Sequence, residues 1–241
     1  MASAPSDLHA QPLTVTRGAR ERLHGHAGRV LWLTGLSGAG KSTIANALEA
    51  ALHARGRHTY LLDGDHLRHG LNRDLGFSEE DRTENVRRAA EVARLFVDAG
   101  TIVIAAFISP LRAQRDAARA LFAPGDFLEV FVDAPLAVAE ARDPKGLYRK
   151  ARSGRLPQFT GIGAPYEPPL APDLVLPTHE WPLDRCVERL LALLRTVTPE
   201  QVQQVAARYF GDDQLTVATL LPQPLDAKAK RTAPAAGATR H

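Results

Sequence analysis

The stretch Gly35-Leu36-Ser37-Gly38-Ala39-Gly40-Lys41-Ser42-Thr43 carries the residue types that hold phosphate. It fits the spacing G-x-x-x-x-G-K-[ST]. Glycines let the backbone turn tightly and aim successive N–H groups at phosphate oxygens, and the N-terminus of a following helix adds partial positive charge. Lys41 can reach β- and γ-phosphates, and the Ser42 hydroxyl can ligate Mg²⁺. The competing reading is a glycine-rich turn that merely joins two elements, and the flanks decide between them. Before the loop, Val30–Thr34 is an apolar run between Gly28 and Gly35, as a buried strand would be; after it, Ile44, Ala47, Leu48, Ala51 and Leu52 recur at helical spacing. Strand, glycine loop and helix is the order that a nucleoside-triphosphate site requires.

Further chemistry falls at the ends of apolar runs. His58–Leu62 reads as a strand ending in Asp63-Gly64-Asp65, and Thr101–Phe107 as a central strand ending in Ile108-Ser109-Pro110. In an open parallel sheet ligands bind at the carboxyl ends of strands, so Asp63 and Asp65 are placed to serve Mg²⁺ or a hydroxyl nucleophile. The alternative for Asp63 is an N-cap for the next turn. Between these strands a long amphipathic helix begins near Ser78, with the stripe Val86, Ala89, Ala90, Ala93, Phe96 and Val97 and a stop at Gly100; Arg82, Asn85, Arg87 and Arg88 lie in its early turns. A helix from about Leu111 to Phe122, a strand Phe127–Val132, a short strand Leu174–Leu176 and a helix Pro182–Arg195 complete the pattern. Alternating strand and helix predicts a doubly wound, mostly parallel sheet flanked by helices, the P-loop nucleoside-triphosphate-binding fold of the α/β class. The segment Arg142–Arg155 holds six basic residues and a glycine near each end, so it reads either as a basic lid over bound phosphates or as a solvated surface helix.

Composition narrows the class. The chain has 241 residues, enough for one full α/β domain with extra segments. A net charge of +3 is too small to argue for nucleic acid and is compatible with anionic small molecules. The single cysteine, Cys186, permits no internal disulfide and suits a reducing cytoplasm. No apolar run has membrane-span length, and the first residues lack the core of a signal peptide. Residues 1–28 read as an arm or short helix; its His24 and His26 lack the further ligands of a metal site.

Residues from about 17 to 195 resemble the adenylylsulfate kinases. The resemblance rests on Gly35–Thr43, Asp63-Gly64-Asp65 with Arg68 and Gly70-Leu71-Asn72, and Asp74–Ser78. It continues through Asp81-Arg82 with Glu84–Arg88, Phe107–Pro110, Arg142–Tyr148, Phe159–Ile162 and Pro165-Tyr166-Glu167. It implies ATP- and Mg²⁺-dependent phosphorylation of the ribose 3′-hydroxyl of adenosine 5′-phosphosulfate (APS), giving 3′-phosphoadenylyl sulfate and ADP, by a homodimer. On that resemblance Arg68, Arg82 and Asn85 would hold the phosphosulfate, Phe77 and Phe159 would sandwich the adenine, and Ile108, Lys145 and Asp65 would complete the pocket. Ser109 matches a phosphoserine position of the family, although direct in-line transfer needs only positioning and charge stabilisation. Three departures stand out: His66 where the family usually has Asn, Gly163 where it usually has Asp, and Leu156-Pro157-Gln158 in place of a more polar approach to Phe159.

Past Arg195 the match ends. A helix from Thr198 to about Phe210 and a strand-like run Leu215–Leu220 resemble the last helix and strand of pitrilysin-like zinc peptidases. That family's H-x-x-E-H metal motif is nowhere in the chain, so no peptidase activity is implied. The chain divides as an arm (1–28), a kinase domain (29–195), an extension (196–221) and an Ala-, Lys- and Pro-rich tail (222–241) of disordered composition. Alternative functions are a P-loop kinase of another small alcohol or nucleotide, and a nucleotide-binding module without catalysis. The blocks around Arg82 and Phe159 oppose the first, and intact Lys41, Ser42 and Asp63 oppose the second.

Overall fold

The computed structural model describes residues 11–195, so the helix expected from Thr198, the run Leu215–Leu220 and the tail from Pro222 lie outside the described residues. In chain order, α1 (Arg17–His24) precedes β1 (Arg29–Thr34), the glycine loop and α2 (Lys41–His53). Then β2 (Thr59–Asp63) runs directly into α3 (Gly64–His69), and α4 (Glu79–Asp98) leads to β3 (Ile102–Ala106). After α5 (Arg112–Arg119) and β4 (Phe127–Asp133) come α6 (Leu136–Arg142), α7 (Leu147–Arg152), β5 (Leu174–Pro177) and α8 (Leu183–Arg195). The strands pair in parallel in the order β2-β3-β1-β4-β5.

A sheet covered on both faces needs apolar side chains at every position, and β1 supplies them in alternation. Leu31 and Leu33 join Ile44 and Leu48 of α2 and Leu190 of α8 in one layer. Val30 and Trp32 join Val86, Ala89 and Ala93 of α4 and Ala118 of α5 in the other. There the Trp32 indole stacks on Phe107 and Phe127 at 5.1 and 5.6 Å, large rings matched by the small alanines of α4. The start of α4 is set by Ser78, whose hydroxyl accepts from the Asp81 N–H at 3.1 Å, and by Glu79, Glu80 and Asp81 at the positive end of the helix.

The helix at the N-terminal side packs on the body. Arg17 of α1 pairs with Asp126 and donates to the Gly28 carbonyl at 2.9 Å. His24 donates from Nδ1 to the Gly100 carbonyl at 3.1 Å, and His26 Nε2 accepts the His58 N–H at 3.0 Å, so both rings act in hydrogen bonding and packing. No helix among the described residues is long and apolar enough to cross a membrane.

On the far side of the sheet's centre, α5 sends Arg115 into the interior. The side chain is 2% exposed and pairs through Nε with Glu129 of β4 at 2.7 Å. Its Nη1 donates to the Ser109 carbonyl and its Nη2 to the Glu167 carbonyl, each at 2.7 Å. Removing one partner of such a pair strands the other. Arg115→Ala is therefore expected to cost about 3–5 kcal/mol in urea unfolding, whereas Arg115→Met combined with Glu129→Leu should recover most of the loss.

Candidate active site

The topology brings the chemistry-bearing residues to one edge. β1, β2 and β3 end at Thr34, Asp63 and Ala106, so the glycine loop, Asp63 and the Phe107–Ser109 turn meet where the strand order reverses. The loop's first residue must be glycine: Gly35 has φ +152°, and a Cβ there would lie 2.4 Å from the Val132 carbonyl oxygen. Gly40 precedes α2 without a side-chain cap, which leaves the first amides of the helix for a ligand. Lys41 is buried, and its Nζ donates to the carbonyls of Gly35 and Leu36, both at 2.8 Å. Burial pulls the Lys41 ammonium down from its ordinary range to about 7. Ser42 and Thr43 stay exposed at the head of α2.

The loop is also held from behind. Tyr148 of α7 donates to the Ser37 carbonyl at 2.9 Å, and burial raises its hydroxyl to about 12, so it remains a donor at neutral pH. Thr178 donates to the Ala39 carbonyl at 2.8 Å, and Arg142 reaches the Thr178 carbonyl at 2.7 Å. Loop positions Ser37 and Ala39 are thus fixed by partners more than one hundred residues away in sequence.

Asp63 is an N-cap and also faces the head of α2. Its Oδ1 accepts the Asp65 N–H at 2.9 Å, capping α3, while Oδ2 accepts the Ser42 hydroxyl at 2.7 Å. Asp65 itself meets Lys145, from the connection between α6 and α7, in an exposed ion pair. The six basic residues of the expected lid are mostly engaged: Arg142 with the loop, Lys145 with Asp65, Arg149 with Asp143 and Arg152 with Glu140.

Opposite the loop lie the candidate substrate residues. Phe77 is 66% exposed, with the Arg68 guanidinium 4.6 Å from its ring centroid. Arg68 donates to the carbonyls of Leu75 and Gly76 at 3.3 and 2.8 Å. Arg82 links the two aromatic segments: Nε donates to the Phe77 carbonyl at 3.0 Å, Nη1 to Thr160 Oγ1 at 2.6 Å, and Nη2 to the Gln158 carbonyl. Phe159, between those last two partners, meets Tyr148 edge-on at 5.0 Å. Burial pulls both arginines below their ordinary range, and the Arg82 charge lowers Arg68 further. Neither forms an ion pair among the described residues, although Asp81 and Asp65 lie near enough to favour the Arg68 charge. Asn85, one turn on from Arg82, is buried and accepts at Oδ1 from Asn72 at 3.0 Å.

Ile108 is half-buried and offers its carbonyl to Thr34 at 2.7 Å. Ser109 is 3% exposed, and its hydroxyl accepts from the Trp32 indole at 3.1 Å. Its φ of +36° lies in the left-handed region that non-glycine residues rarely adopt, a strained conformation with its carbonyl held by Arg115. Two of the three departures prove to be one feature: a Cβ on Gly163 would lie 1.7 Å from the Pro157 carbonyl oxygen. The Leu156-Pro157-Gln158 segment occupies the space that a side chain at 163 would need. His66 is exposed on α3. The roles of Tyr148, Arg142, Thr178 and Asn72 escaped the sequence reading; the one early signal was an aromatic residue, Tyr148, inside an otherwise basic run.

A phosphate loop at the switch point of a parallel sheet, with a carboxylate at the end of another strand within reach of it, defines the P-loop kinases as a class. Comparison with known proteins goes further. The family model for adenylylsulphate kinase matches residues 27–177. The adenylyl-sulfate kinase of Yersinia pestis is 60% identical over 184 residues, covering 76% of this chain and 86% of that protein. The bifunctional enzyme CysN/CysC of Xylella fastidiosa is 58% identical over 189 residues, of which the chain spans 30% of the length. The structure of the Mycobacterium tuberculosis APS kinase CysC in complex with AMPPNP and APS matches with a TM-score of 0.68 at 49% identity, over 70% of this chain and 99% of that one. The chain belongs to the adenylylsulphate kinase family.

Two outcomes follow from the geometry. Phosphates favour the charged form of Lys41, whereas burial brings its midpoint down to about 7, so that it is about half charged at neutral pH. Above that pH nucleotide binding must take up a proton, so affinity is expected to fall by up to about tenfold per pH unit. Titration calorimetry at pH 8 in buffers of different ionisation enthalpy should read about one proton taken up, and near none at pH 6. Ser109→Ala removes the acceptor of the Trp32 indole, so it should cost about 1–2 kcal/mol in thermal unfolding and leave kcat within about threefold; abolished turnover in a folded variant would instead make the hydroxyl a participant.

Proposed function

We propose that the site transfers the γ-phosphoryl group of ATP directly to the 3′-hydroxyl of APS. The chain is an ATP-dependent kinase of its family, and the residue roles that follow are our reading. The observation that supports this reading is a pair of half-buried arginines, Arg68 and Arg82, that form no ion pair among the described residues and lie on the same segments as two aromatic side chains, Phe77 and Phe159. Arginine forks suit phosphate and sulfate oxygens, and aromatic rings suit a purine.

On nucleotide binding, Lys41 exchanges the Gly35 and Leu36 carbonyls for phosphate oxygens, and the amides from Gly38 to Ser42 cradle the β-phosphate. Ser42 and Asp63 present a hydroxyl and a carboxylate oxygen 2.7 Å apart, a hard-oxygen pair of the kind that Mg²⁺ takes. Mg²⁺ held there would neutralise charge on the β- and γ-phosphates. Arg68 and Asn85 hold the phosphosulfate, while Arg82 both contributes charge and fixes the spacing of the two rings. Asp63 orients the 3′-hydroxyl and accepts its proton as the O3′–Pγ bond forms and the bond from Pγ to the bridging oxygen of ADP breaks. Lys145 is released from Asp65 to meet the substrate. Ser109 needs no covalent role, since its hydroxyl is buried and already engaged.

ADP release from ATP and Mg²⁺ would be measured with APS, AMP, adenosine or no acceptor. APS-dependent turnover that drops on the order of a thousandfold in Lys41→Ala is the expected result. Equal turnover with AMP would move the protein to the broader class of nucleotide kinases, and nucleotide binding without any acceptor-dependent turnover would leave a binding module.

A further inference from the structure

Asn72 lies in the turn after α3 and is fully buried, at 0% exposure. Its backbone is held in place: the N–H donates to the Leu67 carbonyl at 2.8 Å, and its carbonyl accepts from Leu75 at 3.1 Å. Arg88 pins the flanks through the Leu71 carbonyl at 3.3 Å and Asp74 at 2.8 Å. The side chain spends its Nδ2 on Asn85 Oδ1 at 3.0 Å. Its own Oδ1 is the one buried side-chain polar atom without a partner among the described residues. An unmet buried acceptor offsets much of what the Nδ2 bond to Asn85 contributes, so stability alone accounts poorly for an amide where a leucine of similar size would fit.

What the amide does is orient its neighbour. Asn85 can present either a carbonyl oxygen or an NH₂ group, and the two ends are opposite in sign for an anion. With Oδ1 bound by Asn72, the Nδ2 of Asn85 is left to donate, one helical turn from Arg82 and on the same side of α4. We propose that Asn72 is a positioning residue that locks the Asn85 amide with its donor end toward the phosphosulfate of the substrate. This rests on the reading of Asn85 as a substrate contact. Without the lock, the amide is free to turn its oxygen toward the anion, and binding of APS weakens while the nucleotide site is untouched.

The test compares Asn72→Leu, Asn72→Asp, Asn85→Ala and the Asn72→Leu/Asn85→Ala pair, with KM for APS, KM for ATP, kcat and melting temperature measured for each. Asn72→Leu removes both the unmet Asn72 Oδ1 and the donor to Asn85, so it is expected to melt within about a few degrees of the parent and to raise KM for APS about tenfold, with KM for ATP unchanged and kcat within about twofold. Asn72→Asp keeps the shape but accepts from Asn85 Nδ2, so it turns the wrong end inward and raises KM for APS at least as far; it serves equally if the leucine variant does not fold. The double variant should bind APS no worse than Asn85→Ala alone, because the lock has nothing left to orient. If Asn85→Ala raises KM for APS while neither Asn72 variant does, the positioning role is overturned and the substrate reading stands. A leucine variant that melts lower and loses kcat and both KM values together overturns it in favour of a structural role. If Asn85→Ala itself leaves KM for APS unchanged, the substrate reading of Asn85 falls, and the proposal with it.

Discussion

One guanidinium ties together three segments that the catalytic edge needs in register. Arg115 is donated by α5, is neutralised by Glu129 on β4, and spends its two remaining nitrogens on the carbonyls of Ser109 and Glu167. Each bond is between groups that could not be left bare in the interior. The charge therefore forces the turn after β3 and the segment past Phe159 to converge on the same point of the sheet. The strained backbone of Ser109 sits at that point: a non-glycine residue holds φ +36° with its carbonyl accepting from Arg115 at 2.7 Å and from the Thr34 hydroxyl at 3.4 Å. From that turn Ile108 faces the pocket, and from the other segment the Phe159 platform extends. An isolated ion pair would stabilise a fold only weakly; here its geometric demands build the floor of a site.

Local chemistry was legible in the chain and long-range partnership was not. The phosphate loop and the strand before it could be read because every requirement is met within a few residues, and Asp63 because strand ends in a parallel sheet face the ligand. The layers of β1 followed from its apolar continuity. The basic segment illustrates the limit. Six charges in a row read as a lid over phosphate, yet Arg142 binds the back of the loop and Thr178, and Arg152 binds Glu140. Their partners lie on other elements, and spacing cannot reveal them. Arg82 is similar: its residue type pointed to an anion, while its three nitrogens also set the distance between the Phe77 and Phe159 segments. Arg112, Arg115 and Arg119 recur along one helix with nothing in their spacing to set Arg115 apart, yet it alone of the three is buried.

The departures from the family pattern show how a substitution is judged by its surroundings. Gly163 and Pro157 looked like two separate losses near the aromatic platform. In the folded chain the Pro157 carbonyl fills the volume above the Gly163 Cα, so this path of the 156–158 segment requires glycine at 163. Such pairs preserve the position of a functional ring while altering both residues that support it. His66, exposed on α3, has no comparable constraint.

Tyr148 has a further implication. Its hydroxyl rests on the backbone of the phosphate loop and its ring edge rests on Phe159, so one rigid side chain spans from the donor's resting place to the acceptor's. A displacement of the Ser37 carbonyl is transmitted to the platform without passing through the sheet. If nucleotide and APS bind at these two segments as proposed, the lever links their affinities. Whatever tightening one confers on the other must be returned in equal measure, whichever arrives first.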